Sequence, residues 1–319
     1  MSLARPLPSS RQSALARRRL GTAFLLAWLA LGGSGCSVKK FAINKIGDSL
    51  AESGSTYASD DDPQLVREAV PFSLKLVEGL LSASPKHRGL LLAAASGFTQ
   101  YAYAFIQQDS EAMEDQDMSR ALELRGRAKR LYLRARDYGL RGLETRHGGF
   151  AAQLRADPRA AVRAATRQDV PFLYWTAAAW GAAISLSKDD PHLVADQPIV
   201  EALIDRALEL DEKFEAGAIH GFLITYEPAR PGAKEEPESR SRRHFERVVQ
   251  LTDGKLAAPY VSLAETVCVS QQNRAEFESL LNRALAIDPN AKPEWRLANL
   301  IMQRRARWLL ARTDQLFAD

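Results

Sequence analysis

The chain has 319 residues, of which 46% are hydrophobic and 26% charged, with a formal net charge of +4. That composition excludes a disordered or disulfide-stapled protein and leaves room for one large or two small domains with a core of their own. The positive charge is local. Residues 1–35 hold Arg5, Arg11, Arg17, Arg18 and Arg19 and no acid, so the remainder is near neutral and gives no electrostatic case for nucleic acid as a partner.

Arg17-Arg18-Arg19, the apolar run Leu20 to Leu31 and the small residues leading to Cys36 have the layout of an export signal. The apolar run is short for a membrane span, which needs about 20 residues. Leu31-Gly32-Gly33-Ser34-Gly35-Cys36 resembles a lipoprotein cleavage site, with Gly33 where Leu is usual. The expected organisation is a lipoprotein signal peptide over 1–35, a tether over 36–61 lipidated at Cys36, and a single α-helical repeat domain over 62–319. The expected location is the cell envelope, on the periplasmic face of the outer rather than the inner membrane, because Ser37 and not Asp follows Cys36. The other cysteine, Cys268, sits in an apolar helical context and reads as a buried, inert thiol.

Within the tether, Phe41, Ile43, Ile46 and Leu50 form a short amphipathic stripe, and Gly54 to Asp62 reads as a loop. Asp62 followed by Pro63 is a helix start. The first helix, about 63–83, carries an apolar stripe of Leu65, Val66, Ala69, Phe72, Leu76 and Leu80, with a kink expected at Pro71. The second, about 86–108, is rich in Ala, Gly and aromatics, and a charged linker from Gln107 to Asp117 follows. The third, about 118–145, puts Leu124, Ala128, Leu131, Ala135, Tyr138 and Leu143 on one side and many charges on the other. Two short helical pieces cover 150–166, split at Asp157-Pro158.

Leu173 to Leu186 comes next and organises the chain. It includes Trp175 and Trp180, carries no charge on any face, and must be buried among other helices. Asp169 is its expected cap. From residue 197 a repeat appears: Arg206-Ala207-Leu208-Glu209-Leu210-Asp211, Arg247-Val248-Val249-Gln250-Leu251-Thr252 and Arg283-Ala284-Leu285-Ala286-Ile287-Asp288. The spacing is that of degenerate tetratricopeptide-like helical hairpins, which bury their faces only by stacking. Residues 228–239 form a Pro-rich surface loop. A last helix, about 293–316, carries Arg304-Arg305-Ala306-Arg307-Trp308, read as the snorkelling surface of a capping helix. The expected fold is all-α, a helical-hairpin array of about eleven or twelve helices with no sheet.

No dinucleotide loop, phosphate loop or nucleophile elbow is present. The five histidines are scattered, so no metal and no cofactor is expected, and His220 reads as a hydrogen-bonded core residue. A carboxylate with a catalytic pKa would require folding to bring Glu227 or Glu265 inward. The chain therefore reads as non-catalytic. What stands out is aromatic. Tyr101, Tyr174 and Trp175 lie on the Ala- and Gly-rich helices, and buried Tyr and Trp need a polar partner. They are the candidate walls of a small-molecule cavity.

Several segments then converge on one family. They are Asp60-Asp61-Asp62-Pro63 through Phe72, Gly97-Phe98-Thr99-Gln100-Tyr101 through Phe105, Leu131 through Tyr138, Tyr174-Trp175-Thr176 through Gly181, and Leu297 through Leu310. Together, and in this order, they resemble the T component of tripartite ATP-independent periplasmic (TRAP) transporters, over about residues 60–317. The resemblance implies a periplasmic lipoprotein of cryptic tetratricopeptide-like hairpins, accessory to a TRAP-type uptake system. It also implies association with the periplasmic solute-binding protein, and a homotrimer whose protomers each hold a ligand-sized channel. It carries over no catalytic residue. The competing expectation is an envelope scaffold that binds a protein or peptide in a helical-repeat groove.

Overall fold

The computed structural model describes residues 45, 54–232 and 235–318. The expected signal peptide, Cys36 and the amphipathic stripe of the tether lie outside the described residues. Gly47–Asp319 is one compact unit and Met1–Ile46 another, of which Lys45 alone is described. Among the described residues every regular element is helical, and there is no strand.

The expected loop at Gly54 is instead a short helix, α1 (Gly54–Ala58). Tyr57 ties it to the next helix through a hydroxyl contact of 2.5 Å with Ser73, and Arg296 donates to the carbonyl of Ser59 at 2.9 Å. Helix α2 (Pro63–Ala83) starts where Asp62 accepts from the backbone N–H groups of Gln64 and Leu65, at 2.9 and 3.0 Å. It runs through Pro71 without ending there. The stripe expected to be buried is only partly so. Val66, Leu74, Val77 and Leu81 face the core, whereas Leu65, Phe72 and Leu76 face outward. The helix has apolar residues on two sides, and periodicity alone does not rank them.

Helix α3 (Arg88–Met113) is longer than expected. It is apolar and long enough to cross a membrane by composition, yet Leu90, Leu91, Ala94 and Ala95 are completely covered by neighbouring helices. The expected linker from Gln107 is a continuation of this helix, through a π-helical turn (Ala102–Gln107) and a last stretch (Gln108–Met113). Polar residues there are used inside. Tyr132 donates to Gln107 at 2.7 Å and Ser110 to the carbonyl of Ala121 at 2.8 Å.

Helix α4 (Met118–Glu144) buries the expected face, including Leu124, Ala128, Ala135 and Leu143. Helices α5 (Phe150–Ala156) and α6 (Pro158–Ala161) split at Asp157, whose carboxylate accepts from Ala160 N–H at 3.0 Å. The central helix, α7 (Val170–Ser185), packs against α3, α4 and the helix Gln197–Leu210. It approaches α4 closely because Gly139 and Gly142 lack side chains. A Cβ on Gly142 would lie 1.9 Å from the Phe172 ring, and one on Gly139 2.1 Å from Thr176 Oγ1. Asp169 does not cap α7 with its side chain. It turns back to accept from Thr166 N–H at 3.0 Å, beside His147, Arg88 and Arg146. These partners hold the fully buried carboxylate below its usual range even though burial alone would raise it.

Beyond α8 (Pro191–Val194) come α9 (Gln197–Leu210), α10 (Ala218–Tyr226), α11 (Pro237–Thr252), α12 (Ala258–Leu263), α13 (Arg274–Leu285), α14 (Arg296–Leu310) and α15 (Thr313–Leu316). A second π-helical turn, Ala264–Cys268, follows α12. The three arginines of the sequence repeat play one role. Arg206 donates to the carbonyl of Ala165 at 3.0 Å, Arg247 pairs with Glu212, and Arg283 lies 4.8 Å over the Tyr260 ring. Each clamps its helix to a segment that precedes it in the chain.

Candidate functional site

Helix α7 was expected to be covered on all sides. Two of its faces are, through Leu173, Ala177 and Trp180 on one and Trp175 and Ala179 on the other. The third, Tyr174–Ala178–Gly181–Ser185, keeps accessible surface. It looks toward the turn before α10 and toward α10 itself, where the Phe222 ring lies 3.2 Å from the position of a Cβ on Gly181.

The structure brings Tyr174 and Trp175 together, edge to face with centroids 4.9 Å apart, and adds Phe214 at 5.4 Å from Tyr174. Glu215, next in the chain to Phe214, is exposed and lies close enough to Trp175 and Tyr174 to influence both. Burial pushes the Glu215 carboxyl up to about 7, with the Trp175 contact opposing. The Tyr174 hydroxyl is pushed well above its usual range, first by burial and then by the charge of Glu215. Tyr101 is elsewhere in the core, its ring 5.7 Å from Phe105.

Glu215 was not legible as a site residue. It occupies a backbone conformation at φ 44°, ψ 52°, followed by Ala216 at φ 56° and Gly217 at φ 92°. The left-handed region costs an ordinary residue about 1–2 kcal/mol, and such strain gathers where a side chain must be aimed. Gly217 N–H closes the turn onto the Phe214 carbonyl at 3.0 Å. The only sequence signal was a glycine after an aromatic and an acid.

A second polar cluster joins the two π-helical turns. Arg305 of α14 is buried between Glu111, at 2.5 Å, and Glu265 of the second turn. Tyr103 of the first turn stands beside them with its hydroxyl 3.8 Å from Met302 Sδ. Tyr103 keeps 38% of its surface accessible. Arg305 is thus an internal ion-pair centre, not the snorkelling surface residue expected, while Arg304 donates to the carbonyl of Ala104 at 2.7 Å. Folding does bring Glu265 and Glu227 inward. Each is taken by arginine, Glu227 by Arg240 at 2.5 Å and Arg230 at 3.1 Å. His220 is a core residue as expected, its Nδ1 2.8 Å from Nδ1 of His244. Cys268 is buried, and burial pushes its thiol up to about 12. Among the described residues no group of three or more His, Cys, Asp or Glu is placed to hold a metal.

Two surface depressions border α4, the second of them where α2, α3 and α4 meet. One of about 440 Å³ is lined by α4 alone, including Arg120, Leu122, Arg127 and Arg130. The other, about 340 Å³, runs between Arg67, Ile106, Met113 and Leu124. Arg120, Leu124 and Arg127 line both, giving a continuous groove of apolar and mixed-charge surface in which Glu123 and Asp109 pair with Arg120 and Arg67. Tyr101, Tyr174 and Trp175 do not line it.

Among the described residues the body is all-helical, and Glu111, Glu227 and Glu265 are each paired with arginine. The particular family follows from comparison. The sequence profile of the TRAP transporter T-component family matches residues 59–317, and the chain belongs to that family. A protein of Treponema pallidum (strain Nichols) described as uncharacterized is 29% identical over 304 residues, covering 90% of this chain and 94% of its own. Membership gives the chain an accessory role in a TRAP transporter system.

Proposed function

We propose that this T component is an envelope lipoprotein, anchored through Cys36, that docks the periplasmic solute-binding protein of its transporter and holds a small organic ligand at Tyr174 and Trp175. The observation that carries this reading is the family match across the whole helical body. The clustering of Tyr174 and Trp175 of α7 with Phe214 of the turn before α10 supports the ligand part, since small-molecule sites are mostly apolar and furnished with few polar groups. The outer groove supports the docking part. It combines exposed Leu122 with Arg120, Glu123, Arg127 and Arg130, a mixture of apolar and arginine surface of the kind enriched at interfaces. The outward stripe of α2, Leu65, Phe72 and Leu76, supports self-association, in keeping with a homotrimer.

The test of docking is co-purification with the solute-binding protein encoded beside this chain. Wild type retains it, and Leu122→Asp loses at least tenfold in affinity. Absence of any complex with wild type overturns the docking part. For the anchor, Cys36→Ala moves the protein from the detergent phase to the aqueous phase. Equal partitioning of both forms overturns lipidation.

A further inference from the structure

Almost every cation of α4 has a partner. Arg120 pairs with Glu123, Arg125 with Glu114, Lys129 with Asp190 and Arg134 with Glu78. Arg136 lies over the Trp180 ring and Arg141 over the Tyr138 ring. Only Arg127 and Arg130 have no ion-pair, hydrogen-bond or ring partner among the described residues. Both are exposed, one turn apart, and both line the groove. Leu122, 53% exposed, and Gly126 line it beside them. Gly126 makes room for no other helix, since a Cβ there would meet only Arg130 Nη1, at 3.5 Å. Gly139 and Gly142 of the same helix differ, because α7 fills their space. Glycine inside a helix is destabilising, and the opening it leaves at Gly126 belongs to the groove.

These features select among partners. Asp109 neutralises Arg67 and Glu123 neutralises Arg120, so the positive charge left in the groove is that of Arg127 and Arg130. Carboxylates are the groups that match a guanidinium in shape and charge. An anionic membrane is drawn to clusters of about 4–8 basic residues, and a flat surface does not enter a depression. A protein surface with an apolar side chain between two acids meets both conditions, its apolar group on Leu122 and its acids on the two arginines. We propose that the α4 groove recognises such an acidic patch on the solute-binding protein, with Arg127 and Arg130 as the two charge contacts. This rests on the docking reading above and names the chemistry of the partner's face. Exposed charges of this kind act mainly on the rate of encounter and on its salt dependence.

The test titrates the full chain in detergent with the purified solute-binding protein encoded beside it, following affinity and association rate. Wild type binds at about 0.05 M salt, and raising the salt to about 0.5 M weakens binding at least tenfold, mostly through the association rate. Arg127→Glu with Arg130→Glu weakens binding at least tenfold at the lower salt and flattens the salt dependence. Arg127→Lys with Arg130→Lys keeps most of the affinity. Arg155→Glu with Arg163→Glu, an equal change of charge at exposed positions near α6, stays within twofold of wild type. Circular dichroism and melting temperature hold in every variant, since all four side chains are exposed. A complex indifferent to salt and to reversal of Arg127 and Arg130 overturns the acidic patch and leaves docking standing. An equal loss in the Arg155 and Arg163 control does the same, because net charge is then the cause. If reversal of Arg127 and Arg130 abolishes binding to phosphatidylglycerol vesicles and spares the solute-binding protein, the groove faces a membrane and the proposal falls. Absence of any complex with wild type overturns the docking reading as well.

Discussion

Glu215 and Gly142 show how much one position decides here. The Glu215 carboxyl is raised to about 7 in the fold from an ordinary value of 4.5. Between those values the unfolded chain binds fewer protons, so this group's contribution to stability is full below about pH 4.5 and is lost as pH rises through 7. Glu215→Gln removes that loss. It is expected to stabilise the protein at pH 8 by on the order of 1 kcal/mol, discounted for the accessible side chain, and to change little at pH 4.5. Thermal melts at the two pH values check it. A variant that is less stable at pH 8 contradicts the assigned environment. Gly142 acts by absence. Its missing Cβ is the space that the Phe172 ring occupies. Gly142→Ala forces α4 and α7 apart and is expected to cost about 1–3 kcal/mol, read as a lowered denaturant midpoint. Gly79, where a Cβ would meet nothing within 4 Å, is the control.

At the scale of elements, the His220–His244 contact joins α10 to α11. Burial lowers both rings, His244 to about 4 with the His220 ring and nearby arginines adding to it, whereas Glu212 opposes the lowering at His220. The groups facing the pair are Glu212, Glu227, Arg230, Arg240, Arg243 and Arg247. With folded values depressed, the contribution is present above pH 6.5 and is lost as pH falls toward 4. Acid therefore loosens α10 from α11, and His244→Gln flattens stability between pH 4 and 6.5. Hydrogen exchange of α11 amides checks it. Arg305 similarly ties α14 to the two π-helical turns. Arg305→Met leaves Glu111 and Glu265 unmatched and is expected to cost about 3 kcal/mol, whereas Arg305→Met with Glu265→Gln recovers part of it. The sequence foretold the helices themselves, because period-3.6 patterns, Asp-Pro starts and Gly ends are local. It did not foretell the π-helical turns, the side of α2 that faces out, or the pairing of Arg305. The pairing of Arg305 depends on Glu265 and Glu111, 40 and 194 positions away, and the outward side of α2 depends on how that helix packs against α3. The same holds for the site. Tyr174 and Trp175 were visible as uncharged aromatics on a small-residue helix. Glu215 was not, since its environment comes from a turn that the residues do not advertise.

For the molecule as a whole, the question is which surfaces meet other proteins. The acidic and aromatic corner belongs to α7 and the turn before α10, whereas the exposed apolar residues belong to α2 and α4. The proposed ligand corner and the proposed contact surfaces thus lie on different helices, so the two proposals can be tested separately by mutation. Phe72 is the sharpest case. It is 74% exposed, and Leu65 and Leu76 share its face at spacings of seven and four residues. Single exposed apolar residues are ordinary, but an aligned stripe with a large aromatic at its centre is surface that association would cover. Burying such a side chain yields about 1.5–3 kcal/mol, and an aspartate in its place must be desolvated. Phe72→Asp is therefore expected to weaken self-association at least tenfold, as measured by sedimentation in detergent. Retention of the solute-binding protein on the α4 groove stays unchanged. Because Phe72 makes little contact in the folded chain, the melting temperature of the dissociated protein should also hold. If Phe72→Asp sediments as wild type does, the α2 stripe is not an association surface. If it instead abolishes capture of the solute-binding protein, the docking face is α2 and not the groove beside Leu122.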